Sequence, residues 1–269
     1  MPHGLPNNRK SIKVDSFGQN RAVNVYQLII DIGNSSAKVA LFEGDTLAEH
    51  IHAEHEELPY FLTEIARERH IRCAIVSSVI PLGEDIEASI NALPFPCLRM
   101  SAKLKMPFRI AYKTPDTLGP DRLAAVAGAC MQEPGRDLLI IDSGTAITYD
   151  IITADGLYLG GNISPGIGMR LKALHHYSGK LPLVDKEGCR TSIGETTETA
   201  IREGVLQGVD YEIDGYIHTY TLKYPKLLVF LTGGNMFLLD NRVKSRTFAD
   251  NLLVVKGLNR ILRLNNEQI

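Results

Sequence analysis

The stretch Leu28-Ile29-Ile30-Asp31-Ile32-Gly33 returns later in the chain as Leu139-Ile140-Ile141-Asp142-Ser143-Gly144, altered only where Ser143 stands for Ile32. Each copy is an apolar run that stops at Asp-x-Gly, the pattern of a buried strand that delivers a carboxylate to its end and then turns tightly. An unpaired charge inside an apolar layer is costly, so each Asp is expected at a strand mouth facing a cleft. Small polar residues follow, Asn34-Ser35-Ser36 in the first copy and Thr145-Ala146 in the second, and then a second apolar run. Those runs, Val39 to Phe42 and Ile147 to Ile152, close at the Gly-bearing turns Glu43-Gly44-Asp45 and Ala154-Asp155-Gly156, so both copies read as hairpins. Glycine at the Asp-x-Gly bend is free to take positive φ and let backbone N–H groups converge, a donor set suited to phosphate oxygens. Two such hairpins facing each other would clamp one polyphosphate.

Outward from this repeat, 269 residues suffice for two domains of ordinary size. With 29 basic and 31 acidic groups the formal charge is −2, which gives no broad positive field and argues against nucleic acid as a main partner. The slightly basic stretches Lys10–Lys13 and Arg242–Arg246 read as solvated surface. No long apolar run and no apolar leader is present, so a soluble, unexported, cytoplasmic protein without membrane contact is expected. Cys73, Cys97, Cys130 and Cys189 are scattered without C-x-x-C spacing, which fits reduced thiols. His175-His176 reads as a hydrated surface pair, since neighbouring helix residues point to different faces.

Residues 1–26 are polar and aperiodic and are expected to be a flexible extension. The first half, 27–135, predicts strands at 28–32, 39–42, 47–53, 73–79 and 97–100, with helices near 59–69 and 83–92. The second half, 136–269, predicts strands at 138–142, 146–152, 157–162 and 227–231, with helices near 167–178 and 197–220. It continues with a turn at Thr232-Gly233-Gly234-Asn235, a helix from Met236, a strand at Asn251–Val255 and a last helix from Lys256. Hairpin-linked strands followed by alternating helix and strand make a mixed sheet with helices on its faces, here twice.

A phosphoryl-transfer site positions the nucleotide, neutralises phosphate charge and holds an acceptor hydroxyl near a base. Asp31 and Asp142 are suited to hold metal ions, directly or through water, and Lys38 to approach the phosphates. Read singly, either Asp also fits an Asx turn that ends a strand. Gly233-Gly234-Asn235 opens a surface without side chains on which a flat adenine could lie, although such a turn is also an ordinary loop. Tyr112 to Arg122 forms a polar cluster before a helix of small residues. There Asp121 fits either a helix-capping carboxylate or the acceptor of a substrate proton, and Arg122 fits an anionic group on the substrate. In Gly194-Glu195-Thr196-Thr197-Glu198 a Thr before acidic residues starts a helix, which leaves room for a hydroxyl contact to ligand.

From residue 28 to its end the chain resembles the type III pantothenate kinases, of the acetate and sugar kinase, Hsp70 and actin superfamily. The family's D-x-G-N-T-x-x-K motif appears as Asp31-Ile32-Gly33-Asn34-Ser35-Ser36-Ala37-Lys38, with Ser35 keeping the hydroxyl of the usual Thr. Its Y-x(6)-G-x-D-R element appears as Tyr112, Gly119, Pro120, Asp121 and Arg122, and its D-x-G-T-A element as Asp142 to Ala146. The resemblance implies duplicated ribonuclease H-like (actin-like ATPase) domains, each a mixed five-stranded sheet flanked by helices, with a cleft between. It implies ATP-dependent phosphorylation of pantothenate with Asp121 catalytic, Tyr112, Gly119, Pro120, Arg122 and Thr197 at the substrate, and Thr145 with Gly233-Gly234-Asn235 at ATP. It further implies Mg²⁺, a monovalent cation (K⁺ or NH₄⁺) at Asp142, and a homodimer whose interface helps shape the substrate site. A sugar-type kinase of the same superfamily and a non-catalytic nucleotide-binding regulator are the alternatives.

Overall fold

The computed structural model describes residues 24–188, 190–239, 243 and 247–266. Most of the expected extension, Cys189 and most of Arg242–Arg246 lie outside the described residues.

The duplication read from the sequence is a duplication of topology. β1 (Tyr26–Ile32), β2 (Ala37–Glu43) and β3 (Thr46–Ala53) form an antiparallel meander, while β4 (Ile71–Ser78) and β5 (Cys97–Arg99) add in parallel on the other side of β1. The first sheet therefore runs β3-β2-β1-β4-β5. In the second half β7 (Leu138–Ser143), β8 (Ala146–Ile152) and β9 (Leu157–Pro165) repeat the meander, and β10 (Leu228–Thr232) and β11 (Phe248–Ala249) repeat the parallel pair. A two-residue strand from the first half, β6 (Arg109–Ile110), pairs with β9 and makes this sheet six-stranded.

β1 and β7 are apolar at consecutive positions because both of their faces are buried. Leu28, Ile30 and Ile32 pack with Leu58, Leu62, Ile86 and Ile90, under α1 (Leu58–Glu68) and α2 (Glu84–Asn91). Ile29 faces the other way, into a core shared with Leu138 and Ile140 of β7 and with α3 (Pro120–Gln132) and α6 (Leu253–Asn266). Leu139 and Ile141 face a third core, under α4 (Ile167–Tyr177) and α5 (Thr197–Lys223). The layers run helix, sheet, helix pair, sheet, helix, and the middle pair ties the two sheets together.

That pair explains one departure from expectation. Asn251–Val255 reads as a strand for its β-branched residues, yet α6 begins at Leu253 and the strand is Phe248–Ala249. Tertiary packing overrides local propensity, because Leu253, Val254 and Val255 are the residues that α6 buries in the shared core. Of the helix expected from Met236, the described residues show a 3₁₀ turn, Met236–Leu238, and most of the stretch from 240 to 246 lies outside the described residues.

α3 and α6 cross at near backbone contact. A Cβ on Gly257 would run into the Ala124 carbonyl oxygen, and one on Gly128 would lie 3.1 Å from the carbonyl carbon of Leu253. Both glycines are thus required by the close approach of the two helix backbones. Gly257→Leu is expected to destabilise the fold by about 1–3 kcal/mol or to prevent it, through forced separation of the helices. Urea unfolding of the variant checks this, and an unchanged midpoint would contradict the crossing geometry.

α6 also reaches back to the first hairpin, where Asn259 Nδ2 donates to the Gly44 carbonyl at 2.8 Å. Gly44 and Gly156, at the two hairpin tips, both take positive φ (62° and 74°), as the turn residues predicted. Among the described residues no helix is long and apolar enough to cross a membrane.

Candidate active site

The two Asp-x-Gly turns stand at equivalent places in the two sheets. Asp31, near the end of β1, pairs in register with Lys38 on β2 and Ser77 on β4. Asp142, near the end of β7, pairs with Thr148 on β8 and Thr232 on β10. The turns close through short bonds, Gly33 N to Ser36 O and Gly144 N to Ala146 O, both 3.0 Å. Neither Gly33 nor Gly144 adopts positive φ, against expectation, since the chain reverses over the residues that follow. What glycine supplies is close approach of the Ser36 carbonyl oxygen, 3.3 Å from a Cβ placed on Gly33, and room beside the Asp142 carboxylate at Gly144. Ile32 and Ala37 are fully buried core residues, so any ligand contact of theirs is through backbone, whereas Asn34, Ser35 and Thr145 are exposed at the turns.

Asp121 joins these carboxylates. α3 starts with Pro120 in its first turn, and the Asp121 carboxylate folds back to accept the Arg122 N–H at 2.9 Å. Gly119 makes this possible, because a Cβ there would meet Asp121 Oδ1 at 2.5 Å. The capping role weighed from sequence is real, and the Gly-x-Asp spacing has a steric reason.

Electrostatics puts the three in one field. Burial pushes Asp31 up to about 6, with Lys38 opposing and Asp121 adding to the rise. Asp142 is pushed up to about 7, by burial first and then by the charge of Asp121, with smaller contributions from Asp31 and Asp150. Burial also raises Asp121, partly offset by the Arg122 backbone N–H. Lys38 opposes the charges of Asp31 and Asp142 and Arg122 that of Asp121, while Asp150 takes up the Arg122 charge. This leaves room for a hard cation, and oxygen ligands are what such a cation takes. Among the described residues no three carboxylate, imidazole or thiol groups converge as a ready-made metal cage. The donor set therefore fits a cation held by one or two carboxylates and completed by phosphate oxygens, as Mg²⁺ prefers.

These shifts have a sign. A carboxyl whose folded pKa lies above its unfolded value stabilises the fold below the unfolded value, and that stability is lost as pH rises through the folded one. For Asp142 the window runs from 3.8 to about 7. Asp142→Asn is accordingly expected to stabilise the ligand-free protein at about pH 8 and to lose most of that gain by about pH 5. Chemical denaturation of both proteins at the two pH values checks it.

Behind Asp121, Arg122 is buried at 5% exposure and pairs with Asp150, at 1%. Its Nε and one terminal nitrogen donate to the Asp150 carboxylate at 2.6–3.2 Å, and the Tyr158 hydroxyl donates to the same carboxylate at 2.6 Å. Tyr112 completes the group, with the Arg122 Cζ 5.7 Å from its ring centre and its ring stacked on Tyr158. Gly160, at φ 106°, leaves the space that the Tyr112 ring fills.

Gly233, at φ 95°, brings the end of β10 onto the second turn, where a Cβ would sit 2.6 Å from Ser143 N. Asn235 then locks the two together: its N–H donates to Ser143 O and its Nδ2 to Gly144 O, both at 2.9 Å. Thr197 stands apart from these residues. Thr196 caps α5, and Thr197 lines a groove of about 940 Å³ between α4 and α5 with Arg170, Leu174, Tyr177 and Val205.

A family model described as type III pantothenate kinase matches residues 27–219. A type III pantothenate kinase of Bacteroides fragilis (strain YCH46) is 51% identical over 242 residues, covering 90% of this chain and 99% of that protein.

The chain belongs to the type III pantothenate kinase family.

Among solved structures, a Baf family protein from Campylobacter jejuni superposes with a TM-score of 0.58 at 23% identity, over 89% of this chain and 99% of that one. A ROK family glucokinase from Streptomyces griseus does so with a TM-score of 0.52 at 10% identity, over 90% and 99%. These likenesses concern the fold, which is the duplicated actin-like α/β arrangement expected from the sequence.

Sequence reasoning passed over Asp150 and Tyr158. The signal was present, since Asp150 interrupts the apolar run Ile147 to Ile152 and a buried carboxylate there calls for a buried cation. His175-His176 is exposed as expected, with His175 Nδ1 bonded to Leu181 O at 2.8 Å. Cys73, Cys97 and Cys130 are unpaired, and burial pushes the Cys97 and Cys130 thiols up to about 11, so neither is a reactive thiolate.

Proposed function

We propose that the protein transfers the γ-phosphoryl group of ATP to the primary hydroxyl of pantothenate, giving ADP and 4'-phosphopantothenate in the first step of coenzyme A biosynthesis. The observation that carries this reading is the position of Asp121, whose charge acts on both Asp31 and Asp142 from the start of α3. This supports reading Asp121 as the base for an alcohol beside two phosphate-type turns.

The lobes 27–135 and 136–269 would each present one turn to the triphosphate, from Asp31 to Lys38 and from Asp142 to Thr145. Backbone N–H groups hold the phosphates, and Lys38 neutralises part of their charge. Asp121 accepts the hydroxyl proton as the alcohol oxygen bonds to the γ-phosphorus and the bond to the ADP oxygen breaks. Mg²⁺ on the phosphates, when bound, supplies charge neutralisation that the single lysine leaves incomplete. Asp142, whose carboxyl burial and the neighbouring Asp121 push up to about 7, is our candidate for the monovalent cation, K⁺ or NH₄⁺. Tyr112, Gly119, Pro120 and Arg122 form the pantothenate wall, with the Arg122–Asp150 pair fixing its shape. Adenosine lies at Gly233-Gly234-Asn235.

A homodimer completes the substrate site in this reading. Its support is the apolar α4–α5 groove, where Thr197 sits beside Tyr177, which is 86% exposed, and Leu174. We place the enzyme in the cytoplasm, where ATP is made and unpaired thiols persist.

The test is an ADP-release assay with pantothenate, with a panel of sugars and with no acceptor. Turnover with pantothenate alone supports the reading. Turnover with a sugar would assign the site to the alternative kinase, and nucleotide binding without turnover to a regulator.

A further inference from the structure

The carbonyl of the glycine in each Asp-x-Gly turn is held by a side chain from a distant part of the chain. In the second turn the Gly144 carbonyl accepts from Asn235 Nδ2 at 2.9 Å. In the first turn the Gly33 carbonyl lies 3.0 Å from Nε2 of the half-buried His55, on the otherwise exposed turn between β3 and α1. A carbonyl oxygen only accepts, so His55 Nε2 carries the hydrogen. Asn235 belongs to the adenosine motif, whereas no motif includes His55.

We propose that His55 is the first lobe's counterpart of Asn235, a positioning residue that sets the orientation of the phosphate-binding peptide Gly33–Asn34. In a trans peptide the C=O and the N–H of the next residue point in opposite directions, and no cis peptide occurs among the described residues. Holding the Gly33 oxygen on the His55 side therefore turns the Asn34 N–H to the other side, where it is left for the ligand. Gly33 is the place where such a hold is needed. The turn is closed by one backbone bond, Gly33 N to Ser36 O, and glycine resists rotation of its flanking peptides less than other residues do. In the second lobe the neighbouring peptide is also held, by Gly166 N donating to Thr145 O at 3.0 Å. The two turns are thus fixed by the same device, built from different residues on different elements. The bond survives in the neutral Nε2–H tautomer and in the imidazolium, so the device does not depend on the charge of His55.

This inference rests on the nucleotide reading above, and the experiment separates the two. Binding of a non-hydrolysable ATP analogue with Mg²⁺, and the KM values for ATP and pantothenate, are measured for the unsubstituted protein, His55→Leu and His55→Gln. Leucine keeps bulk and removes the donor, while glutamine keeps a donor; thermal melting confirms that both variants are folded. His55→Leu is expected to weaken analogue binding and raise the KM for ATP about ten-fold, the effect of one lost hydrogen bond in the nucleotide site, with the KM for pantothenate unmoved. His55→Gln is expected to restore most of the loss. Equal analogue affinity in His55→Leu and the unsubstituted protein would overturn the assignment, as would a parallel rise of both KM values. No analogue binding by the unsubstituted protein would overturn the nucleotide reading, and the role of His55 with it.

Discussion

Asp121→Asn is expected to lower kcat for pantothenate phosphorylation by about 10²- to 10⁴-fold, the range for loss of a positioned general base. The fold should survive, because the Asn side-chain oxygen can still accept the Arg122 N–H that Asp121 accepts at 2.9 Å. Removing the carboxylate also relieves Asp142, for which Asp121 is the largest cause of the raised pKa after burial. The melting temperature of the ligand-free variant near neutral pH should therefore be no lower than that of the unsubstituted protein. The pH profile carries the same signature. Asp121 accepts a proton only when ionised, and burial keeps it protonated to higher pH than an exposed Asp. The acidic limb of kcat/KM should then fall above the usual carboxylate range, with an apparent pKa that belongs to the coupled set of Asp31, Asp121 and Asp142. Near-normal kcat in a folded Asp121→Asn would remove the proton acceptor from the mechanism.

The fold was legible where the sequence repeats itself. An apolar run broken at Asp-x-Gly, twice, specifies two strands of the same kind in the same setting, and the structure gives both the same neighbours in the same directions. Asp31, Lys38, Asp121 and Asp142 could be singled out because a charge beside a glycine turn or a helix start is conspicuous in one dimension. What stayed hidden depends on partners far along the chain. Leu253 to Val255 is helical because α3 is close enough to receive it, and the glycines that permit this, Gly128 and Gly257, lie on opposite sides of the β7–β10 segment. β6 was missed because two residues carry no periodicity, and it exists only where β9 offers an edge. His55 was missed for a similar reason, since it meets Gly33 through a backbone atom and the sequence around it shows only a polar turn. The same physics made Asp150 readable in principle: a carboxylate amid Ile147, Tyr149, Ile151 and Ile152 is either paired or absent from a stable fold.

The Arg122–Asp150 pair, buried on both sides, should accordingly give a large stability effect. Asp150→Ala leaves the Arg122 guanidinium buried without its counter-ion and the Tyr158 hydroxyl without its acceptor. Burial alone works against the charge on Arg122, and the Asp150 carboxylate more than offsets it, holding the guanidinium above its ordinary range. Breaking one side of such a pair costs about 3–5 kcal/mol. Replacing both partners by apolar residues of similar size, Arg122→Met with Asp150→Leu, removes the stranded charge and is expected to recover most of that loss. Urea unfolding of Arg122→Met, Asp150→Leu and the double variant measures the coupling directly. The double variant should nonetheless be a poor enzyme, because Arg122 is the residue next to Asp121 and its anchoring fixes the first turn of α3 against the Tyr112–Tyr158 stack. A cost below about 1 kcal/mol for Asp150→Ala would show that water reaches the guanidinium and that the pair does not fix the shape of the pocket wall.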